Sequence, residues 1–298
     1  MTTATASSSV GAGQGTASRA SQSREQWASV RTYISAAVIL IWCLAPAYWM
    51  VVTAFRQVGF TYDTTPWPTH VTLDNFLTAF DTSFGNRFGQ ALLNSIIIGV
   101  TVTVISLIIG VFAAYALARL NFRFKYLVLG FILGASMFPG VALITPLFQL
   151  FTNIGWMGTY QALIIPNISF VLPLTVYTLT SFFREMPWEL EESARVDGCT
   201  QGQAFRKVIM PLAAPAIFTT AILAFISSWN EFLIASQLSN EATQPVTVAI
   251  ASFAGAQPNQ IPYTAIMAAG TIVTIPLVIL VLVFQRKIVA GLTAGAVK

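Results

Sequence analysis

The sequence predicts an all-α polytopic membrane protein with six transmembrane helices, and its composition carries most of that prediction. The chain is 55% hydrophobic and 9% charged, against roughly 25% charged residues in ordinary soluble domains. A water-facing surface for 298 residues cannot be built from that inventory. The apolar residues also gather into runs close to the ~20 residues that one span needs, with no Lys or Arg inside them. Finally, Lys and Arg collect in alternate connectors, the pattern expected of a chain that crosses a bilayer repeatedly.

Residues 1–31 are rich in Ser, Ala, Thr, Gly and Gln and read as a disordered N-terminal tail. The apolar stretch after it is too long for the core of a cleaved signal peptide. The transmembrane body, residues 32–285, opens with a span at about 32–55, bent at Pro46. A polar segment follows to Gln90, holding Pro66, Trp67, Pro68, the single histidine His70 and several aspartates. The second span covers about 91–118, and the connector 119–125 after it carries Arg119, Arg123 and Lys125. In the third, about 126–151, Gly130 and Gly134 offer a small-residue face for close helix approach. Pro139 and Pro146 there, and Pro166 and Pro173 in the fourth span at about 160–183, each lie seven apart and predict bends. The fifth span, about 213–238, contains Asn230 and Glu231; the sixth, about 265–284, leads to Arg286 and Lys287 and a small-residue C-terminal tail, residues 286–298.

Counted along the chain, one set of connectors holds thirteen Lys and Arg and the other holds two. The positive-inside rule then places both termini in the cytoplasm. The same scatter of basic residues, without interleaved exposed aromatics, argues against nucleic acid as a partner. His70 has no Cys or carboxylate at ligand spacing, so no metal site is expected.

One stretch departs from this apolar pattern. Residues 186–211, with Arg184 and Glu185 before them, hold five of the eleven acidic residues and four of the fifteen basic ones. Glu189, Glu191 and Glu192 stand in the first turn of a short predicted helix, where the helix dipole favours carboxylates. Asp197 and Gly198 should end it, because glycine takes the left-handed conformation that closes a helix. Thr200 and Gln203 have the spacing of a capping box for a second helix. That helix presents Phe205, Val208, Ile209 and Leu212 on one face, and Pro211 is expected to close it. Two capped helices around a glycine turn form a rigid knob; an amphipathic segment lying on the membrane surface would account for the same pattern. The chain has no G-x-x-x-x-G-K-[ST] loop, so uphill transport needs an ion gradient or a separate ATPase. Nor does it contain H-E-x-x-H or G-x-S-x-G, and it is not expected to be an enzyme.

Glu192-Ser193-Ala194, Gly198 six residues after the Glu, and Val208-Ile209-Met210-Pro211 resemble the cytoplasmic E-A-A loop of permease subunits of binding-protein-dependent ABC importers. Ser, Val and Met replace the commoner Ala, Ile and Leu, while the Glu, Gly and Pro are kept. Pro66-Trp67-Pro68, Thr72-Leu73-Asp74-Asn75-Phe76, Trp229-Asn230-Glu231-Phe232 and the ending Gly291 to Lys298 resemble the MalG-like sugar permeases in particular.

This resemblance implies a MalG-like permease fold in the cell membrane and a carbohydrate cargo, a disaccharide such as trehalose. It implies four kinds of partner: a paralogous second permease, two copies of a cytoplasmic ATPase that bind the ATP and Mg, an extracytoplasmic solute-binding protein, and membrane lipid. Glu192, Ser193, Ala194, Asp197, Gly198, Thr200, Phe205, Val208 and Pro211 would form the coupling element, and Gly291, Thr293 and Gly295 a tail contact with the ATPase. Ser228, Trp229, Asn230 and Glu231 are the expected sugar-pathway residues, and Gln257 and Asn259 the expected binding-protein contact. Glu231 has two readings, a brace for the bundle or an acceptor for sugar hydroxyls; Trp229 either stacks on sugar or packs against lipid. An ion-driven secondary transporter remains the alternative, although the chain shows no internal repeat and one intramembrane acid.

Overall fold

The computed structural model describes residues 14–83, 85–253 and 262–294, and its elements are helical, joined by turns and one isolated antiparallel bridge between Arg56 and Val71. In order they are α1 (Gln14–Ala54), α2 (Asp74–Ala79), α3 (Phe88–Arg119), α4 (Lys125–Ser136), α5 (Gly140–Asn153), α6 (Tyr160–Glu185), α7 (Glu189–Val196), α8 (Gln201–Ala204), a π-helical turn (Phe205–Ile209), α9 (Met210–Trp229), α10 (Ala235–Leu238), α11 (Val246–Ala251) and α12 (Tyr263–Ala294). Among the described residues five helices are long and apolar enough to cross a membrane, and a sixth crossing results if α4 and α5 count as one span.

The bend expected in the third span is a sharp break of 87° between these two helices. The helix stops at Met137, and Pro139, which lacks an N–H, starts the next one as its N-cap. The pair still travels the full depth of the bundle. At its start Arg184 of α6 lies over the Tyr126 ring, and beyond its end the Gly158 N–H donates to the Leu238 carbonyl at the opposite face.

The core is built from α3, α6 and α9, and it inverts the soluble pattern. The face of α3 turned inward carries Ala91, Asn94, Ser95, Gly99, Val102, Thr103, Ser106, Gly110 and Ala114, mostly small or polar. Leu93, Ile96, Val100, Val104, Ile108 and Phe112 point outward and are exposed. In lipid the large aliphatic groups gain nothing by hiding, whereas small residues let helix backbones approach. A Cβ on Gly110 would come within 2.5 Å of Thr175 Cγ2 of α6, and one on Gly99 within 2.9 Å of the Phe225 ring of α9. These two glycines mediate the close approach expected of Gly130 and Gly134. A Cβ at either of the latter meets nothing within 4 Å, so that pair makes no close contact within the chain.

Two expected tails are helical where they are described. The segment 14–31 continues as the first turns of α1, and residues 286–294, including Gly291 and Thr293, continue α12. Once a long helix is nucleated each added residue contributes a backbone hydrogen bond, and neither segment contains a proline to stop it. Gly295 lies outside the described residues.

At the end of the bundle remote from the 186–211 hairpin, the loop after α1 folds around Arg56, which is 1% exposed. Its guanidinium donates to the Asp63 and Thr65 carbonyls and lies 4.8 Å from the centre of the Trp49 ring. Asn75, from the T-L-D-N-F stretch, donates to the carbonyls of Ala54 at 2.8 Å and Arg56 at 2.7 Å, closing the free end of α1. In the same loop the Thr65 hydroxyl and N–H hold the Asp63 carboxyl below its ordinary range. His70 stacks on Phe60.

Candidate functional site

The hairpin has the local design its sequence predicts. Helix α7 begins at Glu189 with its three glutamates in the first turn, and it ends on Gly198, whose φ is +87°. The Cys199 N–H donates to the Ala194 carbonyl and the Gly198 N–H to that of Arg195, each at 3.0 Å. Together these form a Schellman closure. Thr200 then caps α8: its hydroxyl accepts from the Gln203 N–H at 3.3 Å, and the Gln203 side chain accepts from the Thr200 N–H at 2.8 Å.

The second helix does not stop at Pro211. It passes through the π turn Phe205–Ile209 and continues as α9, giving one apolar helix from Gln201 to Trp229. Pro211 cannot donate to a carbonyl four residues back. The wider π turn, in which the Met210 N–H reaches the Phe205 carbonyl, carries the chain past it without a break. Phe205 and Ile209 are buried against Val111, Ala114 and Ala118 of α3 and Leu179 and Phe183 of α6. Glu192, Ser193, Asp197, Gly198 and Thr200 are exposed, Val208 is half-buried, and Ala194 is buried.

Sequence reasoning missed the strongest contact in this region. Arg119, at the end of α3, and Glu191, in α7, form an ion pair with 2.9 Å between Nε and Oε1, their side chains 1% and 7% exposed. The approach is a close charge contact rather than a well-aligned hydrogen bond. The remaining bonds are made around it: Arg119 donates to the Met186 carbonyl at 3.0 Å, its guanidinium lies 4.6 Å from the centre of the Trp188 ring, and the Tyr115 hydroxyl donates to Glu191 Oε2 at 3.2 Å. The sequence alone marks Arg119 only as one of the charges of its connector, and Glu191 only as a helix-dipole carboxylate. Seventy-two positions separate them, and no local spacing joins them.

At the opposite end, α9 stops at Trp229 rather than running on to Leu238, and Asn230 is its C-cap. Glu231 therefore lies in a turn after the helix rather than within it. Its two carboxylate oxygens accept the N–H groups of Ile234 at 2.7 Å and Ala235 at 3.0 Å, capping the first turn of α10. Its carbonyl accepts from the Thr247 hydroxyl. Ser228 is buried and accepts from the Asn167 amide of α6 at 3.0 Å. Trp229, 2% exposed, packs on Phe225 within a cluster that includes Phe88 and Ala269, so in this chain its ring faces neither lipid nor an open channel. Asn230 is exposed and donates to the Ile226 carbonyl. Gln257 and Asn259 lie outside the described residues.

Replacing Glu231 by Gln retains one acceptor oxygen and turns an NH2 toward a backbone N–H. The lost charged hydrogen bond should cost about 1.5–3 kcal/mol, lowering the melting temperature of the purified protein by roughly 3–10 °C. An unshifted melting curve would exclude the capping role.

A second group missed from sequence organises this end. Asn94 of α3 is fully buried; its amide donates to the Ala242 and Gln244 carbonyls, both at 3.0 Å, and its oxygen accepts from Tyr160 at 2.7 Å and Gln90 at 3.0 Å. Next to it the Ser95 hydroxyl accepts from the Val246 N–H at 2.8 Å. The segment that follows α10 is thus pinned to α3. The signal in the sequence is the adjacent pair of polar residues, Asn94-Ser95, near the start of this span.

Comparison with known proteins agrees with this architecture. Residues 106–293 match the family described as the binding-protein-dependent transport system inner membrane component. The chain belongs to that family and is a membrane permease component rather than an enzyme. Among its relatives, the trehalose transport system permease protein SugB of Mycobacterium tuberculosis is 46% identical over 262 residues, 88% of this chain and 94% of that one. The trehalose/maltose transport system permease protein MalG of Thermococcus litoralis is 41% identical over 268 residues, 89% of this chain and 95% of that one. In fold, a chain of a bacterial ABC transporter involved in alginate import superposes with a TM-score of 0.73 at 21% identity, covering 88% of this chain and 97% of its own.

Proposed function

We propose that the chain is the permease subunit of an ATP-driven importer that carries a carbohydrate, a disaccharide of the trehalose or maltose kind, into the cytoplasm. The observation that carries this reading is the hairpin: a doubly capped knob, clamped to α3 and continuous with α9, on a chain that has no nucleotide-binding loop of its own. Such an element suits a cleft in a separate ATPase, because a push on it moves a whole transmembrane helix. The 46% and 41% identity to permeases named for trehalose and maltose supports the cargo.

In this reading Glu192, Ser193, Asp197, Gly198 and Thr200 face the ATPase, and both termini share the cytoplasmic side with it. Gly291, Thr293 and Gly295 form a second, weaker contact there. A paralogous permease completes the pathway, and the segment beyond α11, with Gln257 and Asn259, meets a solute-binding protein on the outer side. Ser228, Trp229, Asn230 and Glu231 act on the pathway through their packing and capping bonds.

The test is uptake into proteoliposomes holding this chain with its partner permease and ATPase. Labelled trehalose should accumulate only with ATP and the binding protein present, and an ATPase-inactive partner should stop it. Accumulation that survives the inactive ATPase but collapses when ion gradients are dissipated would overturn the proposal.

A further inference from the structure

The hairpin is joined to α6 through residues 186–188 and to α9 through an unbroken helix, but side chains alone join it to α3. Most of those contacts are apolar: Phe205 and Ile209 pack beside Val111, Ala114 and Ala118. Apolar contacts are non-directional, so one face can slide or rotate over the other at little cost. The Arg119 cluster is different. A single guanidinium holds the Met186 carbonyl, the Trp188 ring and the Glu191 carboxylate, and the second oxygen of that carboxylate is held by Tyr115, one turn earlier on α3. These groups come from the linker and from the first turn of α7, at the root of the knob rather than its tip. The hydrogen bonds from Arg119 to the Met186 carbonyl and from Tyr115 to Glu191 are directional, and the two charges between them are nearly withdrawn from solvent, so separating them as the hairpin shifts alone would leave each without its partner.

We propose that Arg119 is the positioning residue that makes α3 move with the hairpin, so that displacement of the knob reaches α3 as a rigid-body motion and not only α6 and α9. Its consequence for transport rests on the reading of the hairpin as the ATPase-docking element. Helix α3 carries Asn94 and Ser95 at its other end, which hold the segment after α10. The Arg119 tie therefore connects the docking knob to the far face of the bundle along one helix.

The test replaces both partners, Arg119→Met with Glu191→Met, since an apolar pair of similar volume leaves no stranded charge and keeps the contact packed. In the reconstituted complex ATP hydrolysis should continue while sugar delivered per ATP falls at least about fivefold. A second readout does not depend on transport: spin labels at the exposed positions Val196 and Phe112 should report one narrow distance in the parent and a broadened distribution in the double variant. Unchanged sugar per ATP, or an unchanged narrow distance, overturns the proposal. If the parent complex shows no ATP-dependent uptake, the docking reading fails instead, and the label distances alone then decide whether the tie exists.

Discussion

Gly198→Pro is expected to abolish uptake while leaving the spans inserted. Gly198 has a φ of +87°, and proline is fixed near −65°. Proline also removes the N–H that donates to the Arg195 carbonyl in the Schellman closure. A Cβ at this position meets nothing within 4 Å, so the damage arises from the backbone and not from crowding. With roughly 3 kcal/mol or more at stake, the turn re-forms differently and the two helices lose their fixed angle. Gly198→Ala is the graded control, costing about 1–2 kcal/mol for the left-handed conformation and giving partial loss. The measurements are ATP-dependent uptake and co-purification of the ATPase with this chain. Uptake by the Pro variant within twofold of the parent would contradict the role given to the turn.

The second large effect concerns Asn94. Asn94→Leu should strand the Ala242 and Gln244 carbonyls and the Tyr160 hydroxyl, each at about 1–3 kcal/mol. The melting temperature in detergent should fall by roughly 10 °C or more. Asn94→Asp should also be destabilising: it keeps the acceptor for Tyr160 but sets a carboxylate against two carbonyl oxygens. A variant with a parental melting curve would show that the segment after α10 is held elsewhere.

These two residues show what the sequence made legible. The Gly198 turn and the Thr200 box were readable because capping is local: each donor and acceptor lies within a few positions of its partner, so residue type and spacing are sufficient. Five of the apolar runs were readable as membrane-length helices because bilayer thickness fixes the length of such a run. The partners of Asn94, Arg119 and Glu191 were not readable, since most lie far along the chain and depend on which face of α3 turns inward. An apolar span carries no hydropathy stripe to mark that face. The marks it does carry are small residues, and attention to Gly99 and Gly110 rather than Gly130 and Gly134 would have found it. The end of α9 was misplaced for a related reason: Asn230 and Glu231 stop the helix, but Phe232, Leu233 and Ile234 after them keep the apolar run going.

The π turn between the knob and α9 also fixes a phase relation. It holds one residue more than an α-helix would need over Phe205–Ile209, and each residue in a helix advances the rotation by about 100°. Deleting a single residue there would turn the wide turn into an ordinary α-helical one and leave the helices on either side in nearly the same phase, whereas adding or removing a residue in the α-helical part of α9 would turn the knob by roughly 100° about its axis. Glu191 would swing away from Arg119, and the exposed face of α7 would meet a different surface. The π turn therefore absorbs a one-residue difference in the length of this connection without changing which faces the knob and α9 present to their neighbours.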